Sequence, residues 1–126
     1  MDLDKRDELE RRAEKATVYV VQNPMYKDRE TGRLVKKYDL APAAEHGNLV
    51  YLLDQDVNPF RGLERPTREL RNGLQNFAPG DSVLLIGNPI LIGLTAVIAS
   101  EYCDQIIFLQ WSGKSQKYVA VDVDLS

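Results

Sequence analysis

The sequence predicts an α/β protein: a single three-layer domain on a mixed, mostly parallel sheet of about five strands, closed by a C-terminal antiparallel hairpin strand. Three observations predict it. Residues 82–101, SVLLIGNPILIGLTAVIASE, read as strand, tight turn and helix in direct succession. A strand with no polar break must be covered on both faces, which is the habit of a parallel sheet. Strand-like and helix-like segments alternate along the chain, which implies right-handed crossovers. Residues 117–125, KYVAVDVDL, alternate apolar and polar positions, as an edge strand with one wetter face does.

The elements follow in order. Residues 1–16 form a charged leader, helical or disordered, in which only Leu3, Leu9 and Ala13 offer apolar surface. Residues 17–126 form the domain. Residues 17–22, TVYVVQ, are a strand by β-branched and aromatic content, ended by Asn23-Pro24. Residues 27–37 are charged and contain Thr31-Gly32, so they form a loop or exposed hairpin. Residues 39–46 read as a short helix stopped by Gly47. Residues 48–53, NLVYLL, are the second strand. A helix follows over 66–77, with Pro66 suited to its first turn and Leu70, Leu74 and Phe77 on one face. Pro79-Gly80-Asp81 turns the chain into a strand over 82–86. Asn88 is a good N-cap and Pro89 a good first residue for a buried helix reaching about Tyr102. A fourth strand covers 105–111, and Ser112-Gly113-Lys114 turns it into the last. The expected core includes Leu84, Leu85, Ile86, Ile98 and Ile107.

Composition narrows the function classes. A length of 126 residues suits one domain, and 44% hydrophobic with 28% charged residues is ordinary for a globular protein rather than a disordered or membrane one. The net charge of −3 gives no general attraction to nucleic acid or anionic lipid, so only a local basic patch would supply one. The longest apolar stretch, residues 90–100, is too short to cross a bilayer, and the N-terminus has no hydrophobic run of a signal peptide. One cysteine, Cys103, excludes an intrachain disulfide and fits a reducing compartment. With one histidine, His46, it provides too few ligands for structural zinc.

Four segments carry a resemblance. They are VYVVQNP, AAEHGNLVYLL, GDSVLLIGNPILIGLTAVIA and FLQWSGKSQKYVAVDVDL. Together they are similar to a family of small accessory proteins of tailed bacteriophages. The chain departs from that family in its leader, in residues 27–37, and in Gln110-Trp111-Ser112, where Lys-Trp-Asp is usual. The resemblance implies a phage origin and action in the cytoplasm of the infected bacterium. It brings no activity with it.

Parallel strands would bring Gln22, Asn23, Asp54, Asp56, Asn88 and Trp111 to one edge of the sheet, where open α/β sheets bind ligands. A helix N-terminus attracts anions there, and Trp111 would stack a base. The competing reading is structural: Asn88 caps, Asp54 ends a strand and Trp111 covers the sheet edge. Residues 87–93, GNPILIG, match neither dinucleotide-binding nor P-loop spacing. Arg61, Arg65, Arg68 and Arg71 are the one basic concentration, either a phosphate-contacting row or a solvated face with local ion pairs. His46 sits at a helix end, Cys103 between buried elements, and no serine follows a nucleophile pattern. No catalytic set, metal site or cofactor is expected, and the reading leans away from an enzyme. The preferred function is a non-enzymatic accessory protein binding a host or phage protein. A nucleotide or phosphometabolite binder, enzymatic or not, is the first alternative, and nucleic-acid binding through the arginine face is the second. Partners are thus proteins before nucleic acid, with no membrane, and a homo-oligomer is compatible.

Overall fold

The β-branched run TVYVVQ forms β1 (Thr17–Gln22), and its alternation sends side chains to both faces of the sheet. In this computed structural model, residues 16–126 are described. The expected leader therefore lies outside the described residues, apart from Ala16. A short antiparallel hairpin, β2 (Met25–Lys27) and β3 (Leu34–Lys36), follows β1. A 3-10 helix, Ala41–His46, leads into β4 (Asn48–Leu53). A 3-10 turn, Pro59–Arg61, precedes α1 (Glu64–Leu74). Then come β5 (Ser82–Leu84), α2 (Pro89–Tyr102), β6 (Gln105–Ser112) and β7 (Lys117–Asp124).

The five-stranded sheet has the order β4-β1-β5-β6-β7, parallel except for the β6–β7 hairpin. This is the expected mixed α/β sheet. Tyr19, Val21, Val83 and Ile106 pack on one face against Leu70 and Leu74 of α1 and Leu91 and Ile98 of α2. Val18, Val20, Leu84, Leu109 and Tyr118 pack on the other face beneath Leu40 and Ala43, beside and within the 3-10 helix. The crossover from β1 to β4 thus covers one face, and the two helical crossovers cover the other. Crossovers of one hand that run in opposite directions must use opposite faces. The reversal falls between β1 and β5, which makes that junction the switch point of the sheet.

Several expectations are corrected in detail. The first long helix spans Glu64–Leu74 rather than 66–77. Phe77 stays in the core because its N–H bonds to the Leu74 carbonyl in a closing turn. β5 stops at Leu84, where the Ile86 N–H folds back onto the Leu84 carbonyl at 2.9 Å. Leu84 and Ile98 are buried as expected, but Leu85, Ile86 and Ile107 are only partly covered. Leu85 and Ile86 lie past the strand end, and Ile107 faces the side where, among the described residues, the helical cover is a six-residue 3-10 helix. α2 was expected to be buried. Its inner side is, but Ile90 is 44% and Val97 60% exposed, because no described element covers its outer side.

Polar groups stitch the amino ends of the strands. The buried Asp81 carboxylate accepts the Thr17 N–H at 2.9 Å and the Ala78 N–H at 3.1 Å. Ser82 beside it is buried, and its hydroxyl has no hydrogen-bond partner among the described residues. A buried unpaired hydroxyl is a net cost, so Ser82→Ala should raise stability by about 1 kcal/mol. The expected readout is a higher urea midpoint at unchanged slope; a lower midpoint would mean the hydroxyl has a partner after all.

Candidate functional site

Parallel pairing of β4, β1, β5 and β6 puts their carboxyl ends on one edge of the sheet, as the sequence implies. At the switch point itself stands Gln22, buried at the end of β1. Its Oε1 accepts the Asn88 N–H at 3.0 Å, and its Nε2 donates to the carbonyls of Asp54 at 3.1 Å and Val57 at 3.0 Å. One amide thus joins the start of α2 to the loop after β4. Gly87 makes this possible: its φ is +134°, and a Cβ there would stand 2.7 Å from the Gln22 Cβ. Asn88 caps α2 by accepting the Ile90 N–H at 2.9 Å.

Around this plug the edge is open. The segment Lys37-Tyr38-Asp39 crosses it, tied by the Lys37 N–H to the Pro24 carbonyl at 2.7 Å. Tyr38 lines three neighbouring clefts. The largest, about 780 Å³, lies between Lys37, Tyr38, Gly87, Gln110, Trp111 and Tyr118. The second, about 320 Å³, includes Gln22, Asn23, Lys37, Gln55 and Asn88. The third, about 210 Å³, includes Asn23, Met25, Lys36, Leu40 and Tyr51.

Trp111 and Tyr118 are directly opposite in the β6–β7 ladder, and their rings meet edge to face with centroids 5.1 Å apart. Tyr118 is buried and braces Trp111, which is 43% exposed. Burial raises the Tyr118 phenol above its ordinary pKa, with smaller contributions from Asp39 and Tyr38, so it stays protonated. His46 Nε2 lies 3.2 Å from the Tyr118 carbonyl and 3.3 Å from Glu45, which fixes the 3-10 helix to the hairpin.

The edge therefore gathers Gln22, Asn23, Asn88 and Trp111 around Tyr38. The carboxylates of Asp54 and Asp56 are exposed and line none of these three clefts; Asp54 enters through its backbone carbonyl. Arg61, Arg65, Arg68 and Arg71 are all exposed, on α1 and the turn before it. Arg65 pairs with Glu69 at 2.8 Å and Arg71 with Glu101 at 3.1 Å. Exposed pairs of this kind are screened by solvent and contribute little to stability. Lys114 and Lys117 lie beside Trp111 at the β7 end of the sheet, whereas α1 packs on β4 at the other. They do not extend the arginine row.

Sequence reasoning missed Lys36, Lys37, Tyr38 and Tyr51. The only local signal was an aromatic inside a lysine run, KKYD, and its position over the strand ends depends on the path of the crossover. Residues 16–125 match the family model described as Phage Pam3 gp32-like protein. No curated protein and no solved structure matches the chain.

Proposed function

Because the chain belongs to the Phage Pam3 gp32-like protein family, we propose that it is a non-enzymatic phage accessory protein that binds a host or phage protein in the cytoplasm of the infected cell. The observation that carries this reading is the outer side of α2. A surface helix normally turns a polar face to water. α2 instead presents Ile90 and Val97 there, half to three-fifths exposed. On the same side of the sheet, β7 leaves Val119 and Val121 open. Their ladder partners are Gln110 and Phe108, and Phe108 packs into the helix-side core. Four exposed apolar residues on one side of the sheet support a contact site there. No helix among the described residues is long and apolar enough to cross a membrane.

The nucleotide or phosphometabolite alternative has less support. Gln22 fills the switch-point crevice and takes the Asn88 N–H that a phosphate would use.

The test is affinity capture from infected cells with the tagged chain and with a Val97→Glu/Val121→Lys variant. A partner should co-purify with the first and be lost from the second. The variant should melt normally, since exposed positions of this kind change stability by about 0.5 kcal/mol or less. Equal capture by both proteins would remove this face from the reading. Dimers in light scattering that vanish in the variant would identify the partner as a second copy of the chain.

A further inference from the structure

We propose that the carboxyl edge of the sheet binds single-stranded nucleic acid along the three clefts around Tyr38. This surface is distinct from the outer side of α2 and does not rest on the protein-binding reading. Three observations carry the inference. First, the clefts adjoin one another through a shared residue, Tyr38, so they make a track rather than one closed pocket. Second, every cleft combines a lysine with a half-exposed ring. Lys37 stands with Trp111 and Tyr38 in the first, Lys37 with Tyr38 in the second, and Lys36 with Tyr38 and Tyr51 in the third. Third, residues 24–39 and 112–118, which flank the track, hold seven lysines and arginines against three acidic residues, in a chain of net charge −3. Lys36 and Lys37 of these segments line the clefts, while Asp54 and Asp56 follow β4 on the same edge, so the positive excess lies in these two segments rather than along the whole edge.

A single strand needs this combination. Its bases have exposed π-faces that stack on aromatic rings without regard to sequence, and its phosphates follow the bases at each step. Trp111 is preorganised for stacking, because the buried Tyr118 meets its ring in a T-shaped contact while the residue stays 43% exposed. Lys37 already lies over the Tyr38 ring, 5.4 Å from its centroid, so a cation and a ring face are presented together. Asp39 lines two of the clefts; one of its oxygens accepts the Ala41 N–H at 3.0 Å. A duplex would keep its bases stacked away from the rings, and an acidic peptide would use the lysines without requiring an aromatic wall in every cleft.

The chain has one tryptophan, so Trp111 emission reports directly on the first cleft. The experiment titrates the whole protein with dT15, with rU15, with a dA15–dT15 duplex and with a 15-residue polyglutamate, following Trp111 quenching and the anisotropy of labelled oligonucleotide. Saturable quenching by dT15 or rU15 in the micromolar range at 50 mM salt is expected. The tighter of the two identifies the preferred single strand. Neutralising about three phosphates should weaken binding about twentyfold between 50 and 200 mM salt. Tyr38→Ala should cost about tenfold in affinity through lost stacking. Lys36→Gln/Lys37→Gln should weaken binding and flatten the salt dependence. Arg65→Gln/Arg68→Gln/Arg71→Gln should change neither. The proposal is overturned if neither single strand quenches Trp111, if the duplex or polyglutamate binds as well as dT15, or if the arginine variant, rather than the Tyr38 or lysine variants, loses binding.

Discussion

Leu84→Asp should yield no cooperatively folded protein. Leu84 is fully buried in the central β5, in the cluster with Val18, Val20, Leu109 and Tyr118. A carboxylate there has no partner, and an unpaired buried charge costs several kcal/mol, against a total stability of about 5–15 kcal/mol for a small domain. Circular dichroism through a thermal ramp checks it. The comparison variant is Leu85→Asp. Leu85 is only partly buried past the end of the strand, so that protein should fold with lowered stability. A sharp unfolding transition in Leu84→Asp would mean that β5 does not run through the core as described.

Gln22→Ala should lower stability by about 3 kcal/mol, because it releases the Asn88 N–H and the carbonyls of Asp54 and Val57 together, at about 1 kcal/mol for each hydrogen bond. In a domain of this size the melting midpoint should fall by roughly 15 °C. Gln22→Glu should not rescue it. The carboxylate keeps an acceptor for Asn88 but turns its second oxygen toward carbonyls. A loss below about 1 kcal/mol would show that the loops at the switch point are held by other contacts.

The residues explain how far the sequence could be read. The bounds of β1 and β4 follow from a β-branched run ended by Asn23-Pro24 and an apolar run ended by Asp54, and those of α2 from Asn88-Pro89; the structure has the same limits. β5 was read two residues too long, because Leu85 and Ile86 are as apolar as the strand they follow. Their departure is set by a backbone turn rather than by side-chain character. The candidate site was legible in part. Gln22, Asn23, Asn88 and Trp111 follow from the rule that parallel strands share a carboxyl edge. Tyr38 does not, since no local pattern tells a crossover which face or edge to cross. Nor does the sequence distinguish a helix that is apolar all round because it is buried from one whose outer side is left uncovered.

By itself, the sequence determined the α/β class, the succession of elements and the alternation of side chains between the two faces. Capping, β-propensity and apolar period act over a few neighbouring residues, so they are written locally. Only the tertiary structure decided the strand order, the reversal between β1 and β5, the exposed outer side of α2, and the meeting of Tyr38 with Trp111 at one cleft. Each of these depends on the packing of segments distant in the chain, where the free energy comes from covering whole faces and no single stretch contains the choice.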